Sequence, residues 1–430
     1  MKIQSLHLEN YRCFENFDID FDKNLTVLVG VNGAGKTNIL DALTVFCKYI
    51  MESQRGNYSA ILCKSSDLSI KYTKDEIHIN IKIFSHDKPL QWTFIESQTD
   101  PDTFPIKEHP HSLIYDFLPK KAQEKSLLCL LYSAQRCLPK DLRGSPQGGR
   151  PSAFTQAFDA NINFQTSLKW FNDKDAAELR QRRDMKQNGD RNAETYEDPE
   201  LKAVRHAVAE ALSDGDYAYE APRMVGSPPA LVIRNKDTDT DYEVTMLSDG
   251  YRTMLALVMD LARRMAIANE HIVWPEGQSV LYSQGIVLID EIELHLHPSW
   301  QQTVLPTLTR IFPNVQFIVT THSPQVLTSI AAKYIRVLKK GQAFPLPEND
   351  ETEGADSARL LQDVLGVDPR PGNDIAKKLK EYSALVYGEQ WDSPQAESLR
   401  AELDAHYHDA EPMLKELELH IENSKWEREL

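Results

Sequence analysis

Eight residues, Gly30-Val31-Asn32-Gly33-Ala34-Gly35-Lys36-Thr37, constrain this chain more than any other stretch. They follow LTVLVG (25–30), a compact apolar run of the kind a buried strand carries. They precede a segment in which Ile39, Leu40, Leu43, Phe46, Cys47 and Ile50 recur at helical spacing. A glycine-rich turn between strand and helix is a phosphate cradle. Its glycines let several backbone N–H groups point inward, and the helix N-terminus adds the positive end of a dipole. In this pattern Lys36 reaches the β- and γ-phosphates and Thr37 ligates magnesium. The expected cofactors are ATP and Mg2+, and the expected fold class is α/β, a P-loop NTPase.

Three further stretches carry chemistry. Ile286-Val287-Leu288-Ile289 ends in Asp290-Glu291, so a central strand delivers Asp290 to the magnesium shell. Glu291 then stands where it polarises an attacking water, as a general base. Thr321-His322-Ser323-Pro324 closes another apolar run, VQFIVTT (315–321). A histidine at the carboxyl edge of such a strand lies where ligands bind, so His322 is a candidate for contacting a γ-phosphate or holding the water. The third stretch, TMLSDGYRT (245–253), admits two readings. Ser248 is a candidate N-cap of the helical run that follows. Alternatively Ser248, the Gly250 backbone and the helix N-terminus form a second phosphate cradle. A chain with a complete P-loop needs a second cradle only to serve another copy of itself.

Periodicity places these motifs in an alternating order of strands and helices, which predicts strands lying side by side. Ile3, Leu6, Leu8, Phe14, Phe17, Ile19 and Phe21 predict short N-terminal strands. Ile77, Ile79, Ile81 and Ile83 alternate with polar residues, and Trp92, Phe94 and Ile95 follow, which predicts an antiparallel hairpin with one wet face. SLLCLLYSA (126–134), ALVIRNK (230–236), YEVTML (242–247), GIVLID (285–290) and a last strand, IRVLK (335–339), complete the set. A helix is expected from about Arg252 to Ala268, and another from Pro298, with Trp300, Val304, Leu305, Leu308 and Ile311 on its core face. The stretch from Phe164 to Leu212 reads as a charged helical insertion projecting from the main domain. Arg180, Arg182, Arg183, Lys186 and Arg191 make it locally basic, which suits a solvated face or a nucleic-acid contact. FPLPENDETEGADS (344–357) reads as a linker or exposed loop. An acidic helical tail follows, with Leu379, Leu385, Val386, Leu399, Leu403, Leu414, Leu417, Leu419 and Ile421, and Trp391 and Trp426 as anchors. The boundaries that follow are 1–138 and 230–343 for two lobes of one head, 139–229 for the insertion and 344–430 for the tail.

Bulk properties exclude several classes. The chain of 430 residues is too long for one small domain, and its net charge of -16 argues against a basic nucleic-acid coat protein. Five cysteines at wide spacing, with no CxxC pair, indicate reduced thiols rather than a disulfide framework or a zinc site. His295 and His297 lie two apart with no third ligand evident. No run of about 18 apolar residues is present, so no membrane span is expected and the default location is the cytoplasm.

Taken in order, GVNGAGKT, LSDGYRTML, IVLIDE and the histidine of TTHSP resemble the ABC-type ATPases of the RecF and SMC branch, which includes the zinc-hook recombination ATPases and the overcoming-lysogenisation-defect ATPases. LENYRCFENFDIDF is similar to that branch's opening strands. The resemblance covers about 1–50 and 125–340, and it implies an ABC-type head with an antiparallel β subdomain. It implies that Arg12 lies near the nucleotide, which Asn32 to Asn38 cradle, and that Gln135, in the position of a Q-loop glutamine, contacts magnesium and water. It implies that Ser248 and Gly250 of one copy close over the P-loop ATP of another, head to tail, making a homo-oligomer, with His322 as the switch histidine. One departure is Ile292, where the branch commonly has proline after the acidic pair. The tail is too short for a Toprim nuclease domain, and no zinc hook interrupts the chain. LLQDVLGVDPRP with NDIAKKLKEYSALV is similar to the stand-alone PtuA-like ATPases of the Septu and retron anti-phage systems. Those work beside a separately encoded HNH nuclease, PtuB-like, and in retrons beside a reverse transcriptase with its RNA–DNA product. The alternative is a DNA-repair ATPase of the RecF or SMC kind that binds duplex DNA directly through 180–191.

Overall fold

The P-loop strand and both strands that end in catalytic candidates lie side by side in one sheet. The computed structural model describes residues 1–54, 76–85, 88–97, 126–134, 153, 157–158, 164–213, 218–270, 272–347, 349–408 and 410–429. Strands β1 (Lys2–Tyr11) and β2 (Phe14–Asp20) pair antiparallel, and β3 (Leu25–Gly30) leads into α1 (Lys36–Gln54). Strands β4 (Glu76–Ser85) and β5 (Lys88–Ser97) extend the first pair into a four-stranded antiparallel sheet in the order β2-β1-β4-β5. Its period-two pattern puts Leu6, Leu8, Ile79, Ile81 and Ile83 in the core. The opposite face carries His7, whose Nδ1 lies 2.9 Å from Asp18 Oδ1, with Glu9 and Lys82 beside it. Each fully buried isoleucine contributes about 1.5–3 kcal/mol. Phe46 and Tyr49 of α1 cover this face through Trp92, at ring separations of 5.3 and 5.8 Å.

The second sheet has six strands. It adds β6 (Leu128–Tyr132), β10 (Gly285–Ile289), β11 (Val315–Thr320), β12 (Ile335–Lys339) and β13 (Gln342–Pro345) to β3, in the order β13-β12-β3-β11-β10-β6. All neighbours are parallel except β12 and β13. Parallel strands are covered on both faces, which is why LTVLVG, GIVLI and VQFIVT are mostly apolar and buried at every position. Gln316, one of two buried polar side chains in VQFIVT with Thr320, joins the two sheets. Its amide accepts the Ile3 N–H at 2.7 Å and donates to the Ile3 and Asp22 carbonyls at 2.7 and 2.8 Å. Strand β13 lies beyond the last strand that periodicity predicted. Lys340 and Gly341, both at positive φ (52° and 74°), turn the chain back in a two-residue hairpin.

Helices α2 (Phe164–Gln187) and α3 (Pro199–Leu212) form the charged helical stretch. Strands β7 (Arg223–Val225), β8 (Ala230–Asn235) and β9 (Thr240–Glu243) make a small antiparallel sheet. Helices α4 (Asp249–Ala268), α5 (Pro298–Ile311) and α6 (Pro324–Leu327) complete the head. The helical stretch does not project. Leu201, Val204, Ala207, Val208 and Ala211 of α3 are buried, and both α2 and α3 pack on α4. Part of its basic charge is paired. Arg182 donates to Glu178 at 3.0 Å and to the Tyr196 carbonyl at 2.6 Å, Lys186 pairs with Glu194 at 3.2 Å, and Arg180 bonds the Ala176 carbonyl at 3.2 Å. Over 164–212 nine Lys and Arg face ten Asp and Glu. Residues 344–357 are not a free linker either. Thr352 is buried with its hydroxyl donating to the Ile330 carbonyl at 2.6 Å, and the Gly354 N–H donates to the Thr328 carbonyl at 2.8 Å.

The chain divides into two compact units, Met1–Leu360 and Leu361–Leu430. Helix α7 (Ser357–Asp363) runs through the division. The second unit contains α8 (Asp374–Tyr387), α9 (Pro394–Tyr407) and α10 (Pro412–Glu429) around Leu379, Tyr382, Val386, Leu403, Leu414 and Leu417. Asn373 and Ser393 cap α8 and α9. Trp391 packs against this core, whereas Trp426 is 67% exposed and anchors nothing among the described residues. Leu419 faces outward as well, because it lies opposite the Leu414–Leu417 side of its helix. No helix of the described residues is long and apolar enough to cross a membrane.

Candidate active site

Strands β3, β11 and β10 are adjacent and parallel, so their carboxyl ends bring Gly30, Thr320 and Asp290 to one sheet edge. The cradle at that edge demands its glycines. A Cβ on Gly30 would lie 2.6 Å from the Leu338 carbonyl oxygen, and one on Gly35 would lie 2.4 Å from Phe14 Cζ. Gly33 and Gly35 also hold positive φ, 80° and 98°. The Ala34 N–H closes the turn on the Val31 carbonyl at 3.1 Å. Asn32 and Gly33 are exposed at its tip. Lys36 is buried at the start of α1, and its Nζ donates to the Gly30 and Val31 carbonyls at 2.9 and 3.4 Å. Burial lowers its pKa from the usual lysine range, against the pull of Glu291, Asp290 and Glu293. Turning backbone, a helix N-terminus and a half-desolvated ammonium fit a phosphate chain.

The acidic side of the site is held by side chains. Asp290 follows the last residue of β10, and its N–H donates to the Tyr132 carbonyl at 2.8 Å. Its carboxylate accepts the Thr37 hydroxyl at 3.1 Å on Oδ2 and the Thr320 hydroxyl at 2.6 Å on Oδ1. A threonine hydroxyl and a carboxylate oxygen at this spacing are a hard-oxygen pair suited to magnesium. Glu291 sits in the left-handed region, at φ 51°, with its N–H donating to Thr320 Oγ1 at 2.8 Å. Its carboxyl is raised to about 7, first by burial, then by the charge and hydrogen bond of Glu293, then by Asp290, with Lys36 opposing. His322 Nε2 lies 3.5 Å from Glu291 Oε1. Burial and then Lys36 lower its pKa, with Glu293 and Asp290 opposing.

The family model described as "AAA domain, putative AbiEii toxin, Type IV TA system" matches residues 25–328, the span that carries all of these groups. The chain belongs to this AAA-domain family. It is 30% identical to the retron Ec83 probable ATPase of Escherichia coli, over an alignment of 489 positions covering 99% of this chain and 88% of that one. It therefore also belongs with the retron ATPases. It is 20% identical to the Septu protein PtuA of Bacillus thuringiensis, covering 97% of each chain. The SMC head domain from Thermotoga maritima aligns with 81% of this chain and the whole of that one, at 15% identity and a TM-score of 0.44.

The remaining candidates of this ATPase divide. Arg12, at φ 50°, lies beside the end of the cradle. It donates to Asn38 Oδ1 at 3.1 Å and pairs with Asp41 on the outer side of α1, while Asn38 donates to Cys13 Sγ at 3.1 Å. Gln135 lies outside the described residues. Ser248 occupies the N-cap position of α4, yet its hydroxyl makes no capping bond and it is exposed. Gly250 packs its backbone closely on the loop after Glu291. A Cβ there would lie 3.2 Å from the His295 carbonyl oxygen. Tyr251 fixes that helix end against Trp300, at 4.4 Å between rings. His297 caps α5, with Nδ1 2.9 Å from Ser299 Oγ, and no cluster suited to a metal ion occurs among the described residues.

Two groups at the site were not anticipated from the motifs. Thr320 bridges the Asp290 carboxylate and the Glu291 N–H. Glu293 accepts the His322 N–H at 2.7 Å and the Thr321 hydroxyl at 2.8 Å. The runs VTTH and DEIE contained their signals, a polar residue ending a buried strand and a third acid two residues after Glu291.

Proposed function

We propose that the chain is an ATP-binding and hydrolysing subunit of a bacterial anti-phage defence complex, and that ATP-driven head-to-tail closure of two copies gates a separately encoded HNH nuclease. The hydrolysis rests chiefly on one observation. Thr37, Asp290, Glu291 and His322 converge at the sheet edge beside the P-loop, with Thr37 Oγ1 3.1 Å from Asp290 Oδ2. Lys36 exchanges the Gly30 and Val31 carbonyls for β- and γ-phosphate oxygens, and the backbone from Asn32 to Asn38 cradles the phosphates. Thr37 and Asp290 hold Mg2+, with Gln135 assigned as a further ligand. Bound magnesium neutralises charge on the phosphate oxygens. Glu291 takes the proton of the attacking water, a task suited to a carboxylate whose pKa lies near the working pH. His322 orients the water or the γ-phosphate.

The exposed, uncapped Ser248 hydroxyl supports pairing, since it leaves a donor free of its own helix for a phosphate held by the second copy. In this assignment 1–138 and 230–343 act as the lobes of one head, 139–229 as its helical insertion and 344–430 as the tail. The defence role rests on the likeness to retron ATPases and to Septu PtuA, and it makes a PtuB-like nuclease, with a retron reverse transcriptase and its RNA–DNA, the expected partners. Against duplex DNA binding through 180–191 stands the pairing of Arg182 with Glu178 and of Lys186 with Glu194.

The test has two arms. Ser248→Arg should keep MgATP binding by the single head and abolish ATP-dependent dimers in analytical ultracentrifugation. Loss of binding by the single head would return Ser248 to its own subunit's site. Affinity purification from the native operon should recover a nuclease. Its absence, with salt-sensitive duplex binding by the chain alone, would favour the DNA-repair reading.

A further inference from the structure

Glu293 follows the Asp290-Glu291 pair, shares a side-chain hydrogen bond with Glu291, and also holds the neighbouring loop. Its Oε1 accepts the His322 backbone N–H at 2.7 Å, and its Oε2 accepts the Thr321 hydroxyl at 2.8 Å. Both partners lie past the end of β11. The Thr321 N–H still reaches the sheet, at 3.2 Å from the Leu28 carbonyl, and the Ser323 N–H returns to Thr321 Oγ1 at 3.0 Å. The His322 N–H is satisfied instead by a side chain delivered from the loop after β10. A carboxylate with both oxygens engaged fixes two coordinates of that loop at once, as a single hydrogen bond would not.

What it fixes matters for chemistry. Only Ile292 separates Glu293 from Glu291, and Glu291 is itself held at φ 51°. His322 presents Nε2 at 3.5 Å from Glu291 Oε1. A shift of Glu293 relative to His322 therefore alters the separation of those two groups directly. We propose that Glu293 is a positioning residue, whose two-oxygen grip on Thr321 and His322 sets the distance between Glu291 and the histidine. This rests on the ATPase reading above and deepens it.

The experiment measures ATP turnover by the full chain with Mg2+, together with hydrogen exchange over 320–324 without nucleotide. Glu293→Ala should lower kcat by about 10- to 100-fold and leave KM for ATP within about twofold, as expected for loss of an orienting partner. Its His322 amide should exchange faster. Glu293→Gln keeps an acceptor for the His322 N–H and should recover kcat to within about threefold of the parent, with amide protection restored. Thr321→Val removes one of the two bonds and should fall between them, which guards against an Ala variant that fails to fold.

Unchanged kcat in Glu293→Ala overturns the proposal. So does a Gln variant as slow as Ala, because Glu293 would then act through its charge. So does a rise in KM at constant kcat. If the parent binds ATP but does not turn it over, the ATPase reading fails while the exchange data still decide the grip: slowed exchange in Gln and parent against Ala supports it, and equal exchange in all three refutes it.

Discussion

Replacing Asp260 with Asn should destabilise the first unit by several kcal/mol. Asp260 lies midway along α4 and is 1% exposed. Its carboxylate accepts the Tyr132 hydroxyl from β6 at 3.0 Å, Arg263 Nη2 and Arg264 Nε at 2.7 Å each, and the Ser167 hydroxyl from α2 at 3.4 Å. Arg263 also donates to Ser167 Oγ at 3.1 Å, and Arg264 to the Ala153 carbonyl at 2.8 Å. The helix that begins at Ser248 is thus tied to the strand beside Asp290 and to the helical stretch through one buried charge. The Asn variant keeps the shape but leaves two buried guanidinium groups without their counter-charge, at a cost of about 3–5 kcal/mol. For a unit of 360 residues the unfolding entropy is about 0.76 kcal/mol/K, so the melting temperature should fall by about 4–7 °C. Arg263→Met should cost less, because Arg264 and Tyr132 remain on the carboxylate. Burial alone would raise the Asp260 pKa, but Arg264 and Arg263 reverse this and hold it at about 2. A folded pKa below the unfolded one, about 3.9, contributes stability that is complete above about pH 5 and is lost as pH falls through 2, about 2.6 kcal/mol in all. Scanning calorimetry at pH 7 and across pH 5 to 2.5 measures both effects. An Asn variant melting within about 1 °C of the parent, with an unchanged acid limb, would refute the argument.

Gly35→Ala should abolish ATP binding in a fluorescence titration and cost about 1–3 kcal/mol, since its Cβ falls 2.4 Å from Phe14 Cζ at φ 98°. If Ala binds ATP as the parent does, the loop is not the cradle described. Thr320→Val keeps the shape but leaves the Asp290 and Glu291 partners short of one buried hydroxyl, for about 1–3 kcal/mol and about a tenfold loss of kcat with ATP binding retained. Parent-like turnover would mean that the two acids hold their places unaided.

The legible parts of this protein are those written within a few consecutive residues. The cradle, the Asp290-Glu291 strand end and the Ile77–Ile83 alternation each obey a local rule, and each appears where its rule puts it. Thr320, Glu293 and Asp260 obey no local rule. Their partners lie 29, 28 and 128 residues away in Glu291, Thr321 and Tyr132, so they emerge only when β10, β11 and β6 are set side by side. The pairing of Arg182 and Lys186 is local by contrast, with Glu178 four residues before one and Glu194 eight residues after the other. Ser248 lay between the two cases. Its position before a helix was readable, but whether its hydroxyl is used by that helix depends on the side-chain rotamer, which no motif fixes.

Ile292 turns the one departure from the family pattern into a measurement. Proline commonly follows the acidic pair in the branch that the motifs resemble. Here the residue is isoleucine, 1% exposed, and its N–H donates to the Thr320 carbonyl at 3.0 Å. That bond continues the alignment of β10 and β11 one step past Asp290, while the same Thr320 fixes Glu291 through its side chain. Proline at 292 would remove the donor. It would also press the residue before it toward extended backbone and away from the φ of 51° that Glu291 holds. Ile292→Pro should therefore cost about 1–3 kcal/mol for the unpaired carbonyl. It should also lower kcat more than ATP affinity, because the cradle lies on other strands and only Glu291 moves. Calorimetry and single-turnover hydrolysis separate the two effects. A proline variant with parental kcat would show that the left-handed Glu291 backbone is incidental to the chemistry, and that the acid reaches its working position by a route this loop does not determine.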